Sequence, residues 1–205
     1  MYKEKIDFFD AQADAPWADA KYDQETEQKI ARLLDLLPRR EGLSLLEPGC
    51  GTGRLTQRLA QAAGPAGTVT ALDISPRMAE AAQRRLSGLP NARALAENLE
   101  TCATLQPGVD AVICHQVFPH FNDPARALAR MAELLKPGGV VIVSHFIGRH
   151  EVNDVHRKAG TAVEQDMLPD APAMRSLFHE AGFEVTLLED LPDLYLLRAG
   201  LVRDA

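Results

Sequence analysis

The sequence predicts an α/β domain: an open, mostly parallel sheet covered by helices on both faces. Three observations predict it. Short apolar runs alternate with helix-period patterns from about residue 22 onward. Those runs are mostly apolar, as strands of a parallel sheet covered on both faces are. A glycine-rich segment, Gly49-Cys50-Gly51-Thr52-Gly53, stands between the first run and the helix that follows it.

The elements can be justified in order. The first helix is expected over 24–37, where Ile30, Leu33, Leu34 and Leu37 recur on one face. The first strand follows at 43–47. A helix at 54–63 carries Leu55 and Leu59 inward, and the second strand is expected at 68–72. Ser75-Pro76 is a helix start, a capping hydroxyl followed by proline at the first helical position, for a helix over 76–86. Strands at 92–95 and 111–115 come next. Asp123-Pro124 repeats the start signal for a helix over 125–135, with Leu128, Met131 and Leu135 inward, stopped by Lys136-Pro137-Gly138-Gly139. The fifth strand is expected at 140–146. The rhythm then breaks. A helix over 171–181 buries Met174, Leu177 and Phe178 and stops at Gly182. Runs at 183–189 and 193–202 are joined by only Asp190-Leu191-Pro192. That is too short for a parallel crossover, so this pair is antiparallel. One reversed strand therefore lies at the far edge of the sheet. The plan takes up residues 1–205 as one domain, leaving an N-terminal arm at 1–22 and an insertion, expected as a lid, at 147–170.

Composition narrows the function classes. The chain has 205 residues, 46% hydrophobic and 25% charged, which excludes wholesale disorder. Its net charge is -7, and its basic pairs, Arg39-Arg40 and Arg84-Arg85, are isolated. No basic stripe is present, so nucleic acid is not the expected partner. Three scattered cysteines form neither a disulfide framework nor a CxxC zinc motif and fit a reducing compartment. Met1-Tyr2-Lys3-Glu4-Lys5 is not followed by an apolar stretch, and the longest aliphatic run is Val140 to Val143. A cytoplasmic protein with no membrane span is expected, as a monomer or homodimer.

The glycine segment carries the chemistry. In open α/β sheets ligands bind beyond the carboxyl ends of the strands, at the switch point beside the first strand. Glycines there allow a tight turn and close approach of backbone to ligand. Asp73 ends the second strand, twenty residues past Gly53, where a carboxylate can accept hydrogen bonds from a ribose diol. Dinucleotide enzymes use GxGxxG. Here the glycines recur every second residue behind Glu47. Leu46-Glu47-Pro48-Gly49-Cys50-Gly51-Thr52-Gly53 therefore resembles the first motif of class I S-adenosylmethionine-dependent methyltransferases. Ala71-Leu72-Asp73-Ile74-Ser75 with Met78 is similar to that family's second motif. Ala111-Val112-Ile113-Cys114-His115 resembles its fourth strand, and Leu135-Lys136-Pro137-Gly138-Gly139 the turn before its fifth.

The resemblance covers most of the chain. It implies a Rossmann-like seven-stranded sheet of order 3-2-1-4-5-7-6 with strand 7 antiparallel, and S-adenosylmethionine as cofactor, leaving S-adenosylhomocysteine as product. Carried over by position, Gly49, Cys50, Gly51 and Gly53 bracket the methionine part, and Glu47 pairs with its ammonium. Asp73 takes the ribose hydroxyls, and Ile74 and Met78 flank the adenine. Ala96, Glu97 and Asn98 resemble the adenine-edge motif, and His115 lies beside the cofactor. Many members have an acidic residue where Leu95 stands, so Asn98 or a backbone carbonyl is expected to receive the adenine amino group.

The family builds its acceptor side from loops after the fourth and fifth strands, the insertion and the N-terminal segment. Five of the six histidines fall between 115 and 156. Three readings stay open for them. They are incidental surface and packing histidines. Or His120, His145 and His156 do acid–base and acceptor-orienting chemistry. Or His120, His145 and His156, with Asp166, hold a metal ion. Asn153 and His156 share one face if the insertion is helical. Phe8, Phe9, Trp17 and Tyr22 resemble the leading segment of small-molecule methyltransferases, or serve as an aromatic staple over the core's edge. Phe118, Phe121, Phe146 and Tyr195 are candidates to line an acceptor pocket. Cys50 and Cys114 are expected to pack as small buried side chains. The reading is methyl transfer to a small-molecule acceptor. The alternatives are a non-catalytic S-adenosylmethionine-binding sensor or scaffold and, further off, a nicotinamide oxidoreductase.

Overall fold

A computed structural model describes residues 2–39 and 41–202; Met1, Arg40 of the basic pair and residues 203–205 lie outside it. Among the described residues no helix is long and apolar enough to cross a membrane. Helices α1 (Tyr2–Asp10), α2 (Pro16–Asp19) and α3 (Gln24–Leu34) precede the sheet. Then β1 (Ser44–Pro48), α4 (Arg54–Ala63), β2 (Thr68–Asp73), α5 (Pro76–Arg85), β3 (Ala92–Ala96) and β4 (Val109–His115) alternate. They are followed by α6 (Pro124–Leu134), β5 (Leu135–His145), α7 (Arg149–Lys158), α8 (Ala171–Glu180), β6 (Phe183–Leu191) and β7 (Leu194–Leu201). The sheet order is β3-β2-β1-β4-β5-β7-β6, with β7 antiparallel to both neighbours and the other pairings parallel. This is the order implied by the resemblance.

The period-two pattern of the strands divides the core between two faces. Leu46, Val112, Val141, Val143 and Leu197 pack with Met131 of α6 and with Met174 and Phe178 of α8. Leu45, Val69, Ile113, Ile142 and Leu196 pack with Ile30 and Leu33 of α3 and with Leu55 and Leu59 of α4. The start signals act as capping chemistry requires. The Ser75 hydroxyl accepts from the Met78 amide at 3.0 Å, and Asp123 accepts from the Arg126 amide at 3.0 Å. The residue 125–135 helix ends one residue early, because Leu135 is already extended and pairs with Val109. Strand β5 therefore begins before Lys136-Pro137-Gly138-Gly139, with a register shift between Val109 and Ala111 absorbing the turn.

Residues 147–170, the segment expected as a lid, are anchored at both ends of α7. Gly148 donates its amide to the Pro192 carbonyl at 2.9 Å, and the Arg149 amide donates to Asp190 at 2.9 Å, so α7 is tied to the β6–β7 turn. Asn153 and His156 do share one buried face. The Asn153 side chain donates to the Leu168 carbonyl at 3.1 Å and accepts from the Leu168 amide at 2.7 Å, which closes the segment on itself. The N-terminal arm also packs over the carboxyl end of the sheet. Thr52 Oγ1 donates to the Ala18 carbonyl at 2.7 Å, and Arg85 donates to the Ala18 carbonyl at 2.9 Å and to Asp19 at 2.7 Å. Asp10 accepts from the Ser75 hydroxyl and from the Arg77 amide.

Candidate functional site

A cavity of about 370 Å³ lies at the carboxyl ends of β1, β2 and β4. Glu47, Gly49, Cys50, Gly51, Asp73, Ile74, Met78, Glu97, Asn98 and His115, all expected on the cofactor side, line it. Gly53 and Ala96 do not. Gly53 caps α4 at φ +78°, and a Cβ there would stand 3.0 Å from the Ala82 Cβ, so its role is close packing of loop on α5. Ala96 is exposed at the end of β3.

The glycine turn is held by its neighbours. The Cys50 amide donates to the Leu72 carbonyl at 2.9 Å. The Gly51 amide donates to Asp73 Oδ2 at 2.8 Å, and the Ser75 amide donates to Asp73 Oδ1 at 2.9 Å. Gly49 and Gly51 lie at φ +70° and +54°, in the left-handed region where side-chain-bearing residues are strained. A Cβ on Gly51 would meet nothing within 4 Å, so this glycine faces open cavity. Asn98 offers less to an adenine amino group than expected, because its Oδ1 already accepts from the Glu100 amide at 2.8 Å. Cys50 and Cys114 are buried, and burial pushes both thiols up, away from thiolate chemistry.

Two carboxylates dominate the electrostatics. Glu47 is 1% exposed and accepts from Thr56 Oγ1 at 2.5 Å. Burial pushes its carboxyl up to about 8, against the Thr56 hydrogen bond and helped by the Asp73 charge. Burial likewise raises Asp73 to about 6, opposed by its bonds from Ser75 and Gly51. Neither has a cationic side-chain partner among the described residues. Across the cavity His115 is held neutral. Burial depresses it to about 3, its Nδ1 pairs with Ser144 Oγ at 2.9 Å, and its ring lies 4.3 Å from Phe146.

Opposite limbs of a pH profile follow. His115, His145 and His156 are all depressed, first of all by burial, so the folded form binds fewer protons than the unfolded chain below the ordinary imidazole value. The histidine contribution to stability therefore rises with pH up to about 6.5. Glu47 and Asp73 are raised, to about 8 and about 6, so the folded form binds more protons from the ordinary carboxylate range up to those values; they oppose the histidine limb, and above about 6.5 Glu47 makes stability fall with pH to about 8. Thermal melts of the ligand-free protein should show both limbs. Glu47→Gln should flatten the upper one; an upper limb that keeps its slope in that variant would contradict the assignment.

The histidines separate. His120 ends a 3-10 turn (Phe118–His120) and lines the cavity. His145 and His156 do not line it. His145 is buried with Nε2 unpartnered and its ring edge-on to Tyr195 at 6.2 Å. His156 is buried behind His120, ring centroids 4.7 Å apart, with Nδ1 on the Asp166 backbone oxygen. His120 Nδ1 pairs with Asp166 Oδ2 at 2.7 Å. A metal set of His120, His145, His156 and Asp166 does not assemble. Among the described residues no three His, Cys, Asp or Glu are placed to hold a metal ion.

Phe9, Trp17, Tyr22, Phe121 and Phe146 line the cavity, while Phe118 and Tyr195 are buried in the core. Four participants had no sequence signal. Thr56 reaches Glu47 from α4. Arg54 lies over the Tyr22 ring at 3.9 Å. Gln116 lines the cavity at φ +55°, a backbone conformation held by its amide on the Ser144 carbonyl at 2.8 Å. Lys5 is buried and donates to Asp166 at 2.8 Å and to the His120 carbonyl at 3.1 Å. Only a glycine-free, positive-φ turn after β4, or a basic residue on a buried helix face, would have marked the last two.

Residues 46–141 match a methyltransferase domain. The chain is 29% identical over 149 residues to the malonyl-[acyl-carrier protein] O-methyltransferase of Halalkalibacterium halodurans, covering 68% of this chain and 54% of that protein. It is 35% identical over 107 residues to a ubiquinone biosynthesis O-methyltransferase of Xanthomonas campestris pv. campestris, covering 50% of this chain and 43% of that protein. The chain thus spans about half the length of these curated relatives, and 32% of another. The solved structure of magnesium protoporphyrin IX methyltransferase from Synechocystis with bound S-adenosylhomocysteine superimposes with TM-score 0.70 at 20% identity, over 96% of this chain and 99% of that one. At that identity the likeness is one of fold.

Proposed function

The chain belongs with the class I S-adenosylmethionine-dependent methyltransferases, in fold and in its domain core, and from that premise we propose that it methylates a small-molecule acceptor held beside His120. One observation carries the reading. A single cavity runs from the glycine turn with Glu47 and Asp73 to a wall of His120, His115, Phe9, Phe121 and Phe146. Cofactor and acceptor can therefore share one continuous cleft.

The residues present fit the cofactor. Two buried carboxylates without a cationic partner are what an ammonium and a ribose diol would satisfy. Gly51 leaves room where a side chain would intrude, and Ile74 and Met78 offer apolar surface to a flat ring. When bound, S-adenosylmethionine supplies a methyl group already activated on a sulfonium. The protein's part is then alignment and exclusion of water. The N-terminal arm provides the exclusion, with Phe9, Trp17 and Tyr22 on the cavity wall. Of the three histidines proposed for acceptor chemistry, His120 is the one on that wall. His156 packs behind it. The curated relatives above are named as O-methyltransferases, which favours a small oxygen acceptor.

Calorimetry tests the cofactor half. S-adenosylhomocysteine should bind with about one site per chain and NAD should not. Because Glu47 is protonated at neutral pH in the ligand-free protein, pairing with an ammonium should release a proton. The observed heat at pH 7 should then depend on the buffer's ionisation enthalpy, and Glu47→Gln should remove that dependence. Binding of NAD in preference to S-adenosylhomocysteine would overturn the reading. Transfer of a labelled methyl group to a panel of phenols, enols, amines and thiols tests the acceptor half.

A further inference from the structure

We propose that His120 is the general base for a phenolic or enolic hydroxyl acceptor, positioned by Asp166 and, through it, by Lys5. The inference rests on the methyltransferase reading above and adds the acceptor's chemical class. Its basis is a chain of contacts assembled from three remote segments. Lys5, on α1, places Nζ 2.8 Å from Asp166 Oδ1, and Asp166 Oδ2 lies 2.7 Å from His120 Nδ1. Both carboxylate oxygens of Asp166 are thereby engaged. Lys5 also holds the His120 carbonyl at 3.1 Å, so one ammonium grips both the base and its partner.

The contacts dictate a tautomer. Burial alone would raise the Asp166 carboxyl, but the hydrogen bonds from His120 and Lys5 hold it below the ordinary carboxylate value. An ionised carboxylate only accepts, so the proton of a neutral His120 sits on Nδ1. Nε2 is left as a lone pair without a protein partner among the described residues, on a residue that lines the cavity. The ring is packed edge-on against Phe9 at 5.1 Å and against His156 at 4.7 Å, which locks its orientation. The other titratable groups around it, His156 on α7 and His145 on β5, are both depressed by burial and stay neutral.

This arrangement selects among acceptors. A thiolate or carboxylate needs no base. A neutral hydroxyl on a planar ring suits both the lone pair and the aromatic wall of Phe9, Phe121 and Phe146. With an ordinary pKa of about 10, a phenol is mostly protonated at neutral pH and gains from a base. In the step, the acceptor's proton passes to His120 Nε2 and an oxygen lone pair forms the new O–C bond. The electron pair of the breaking C–S bond stays on sulfur, leaving a neutral thioether. The imidazolium proton then goes to solvent.

The test compares wild type with His120→Gln and Asp166→Asn on phenols of graded acidity at pH 8. On phenols that are protonated at that pH, His120→Gln should lower kcat by about 100-fold or more. On nitrophenols already ionised, its loss should stay below about 5-fold, because no proton remains to be taken. Asp166→Asn should lower kcat on the protonated phenols by about 10-fold or more, with KM little changed. A second readout is independent of turnover. Nitrogen-15 spectra of labelled histidine should show neutral His120 protonated on Nδ1, and Asp166→Asn should shift that population toward Nε2. Equal losses on ionised and protonated phenols, or an Nε2-protonated ring in the wild type, would overturn the proposal. Turnover of amines or thiols alone would overturn it while leaving the methyltransferase reading standing. Turnover of no acceptor class would overturn that reading and this proposal together.

Discussion

Asp73→Ala should weaken S-adenosylhomocysteine binding by about 100-fold or more. The carboxylate has two tasks. It accepts the Gly51 amide at 2.8 Å and the Ser75 amide at 2.9 Å, so it joins the glycine turn to the start of α5. It also faces the cavity, where its remaining lone pairs are free for ribose hydroxyls. Hydrogen bonds to a charged group contribute about 1.5–3 kcal/mol each, so losing two to the ligand costs roughly 3–6 kcal/mol before any loosening of the turn. Asp73→Asn should recover only part of this. Its single oxygen can serve one loop amide, and its NH2 then opposes the other N–H donor. Calorimetric titration of both variants, beside their ligand-free melting temperatures, separates the two tasks. Binding of the alanine variant within about 3-fold of wild type would remove Asp73 from the cofactor site.

The second large effect is expected at Gly49. A Cβ built there stands 2.2 Å from Val117 Cγ2 and 2.6 Å from Val117 Cβ, and the residue lies at φ +70°. The clash is with a branched side chain on the cavity wall, in the turn after β4, so it cannot be relieved by swinging a flexible tip. Left-handed backbone costs about 1–2 kcal/mol for a residue with a Cβ, and overpacking a further 1–3 kcal/mol. Gly49→Ala should therefore lower the melting temperature by about 5–15 °C and weaken S-adenosylhomocysteine binding at least 10-fold. Val117→Ala in the same chain should restore part of the stability, because it removes the contacted methyls and leaves the φ cost. No recovery in the double variant would mean that backbone strain alone accounts for the loss. Gly51→Ala is the contrasting case: at φ +54° it carries the same backbone cost but meets no protein atom, so its stability loss should be smaller than that of Gly49→Ala.

The cavity lining around the glycine turn was legible because its signals are local. Glu47, Gly49, Gly51, Asp73 and Ile74 lie at strand ends or in the turns directly after them, and Met78 lies in the first turn of α5. A strand that ends at a known place delivers its last side chain to a known edge of the sheet. Helix caps at Ser75 and Asp123 were readable for the same reason, since a cap's donor lies three residues away. Ala96 and Gly53 show where position alone is insufficient. Both stand at motif positions, but one is exposed and the other packs against α5.

The acceptor half was not legible in this way. Five histidines between 115 and 156 look equivalent in the sequence, and only packing distinguishes them. His145 alternates inward on β5 and is sealed beneath Tyr195, whereas His120 sits on a 3-10 turn at the cavity wall. The expected lid is tied to the β6–β7 turn by Gly148, where a Cβ would meet the Leu191 carbonyl at 2.3 Å.

What the sequence determined by itself is therefore the sheet, the antiparallel pairing of its last two strands (the reversed strand β7 lying one place in from the edge strand β6, not at the edge) and the turns that line the cavity. Each follows from periodicity, glycine conformations and caps, which act over a few residues. What only the tertiary structure decided is which of these histidines lines the cavity and what holds it there. Lys5, His120 and Asp166 come from segments more than forty residues apart, and their pairing at 2.7–2.8 Å depends on how the N-terminal helix, the turn after β4 and the insertion pack together. Long-range contacts of buried charge leave no local pattern, because a lysine that will be buried reads like a lysine that stays in water.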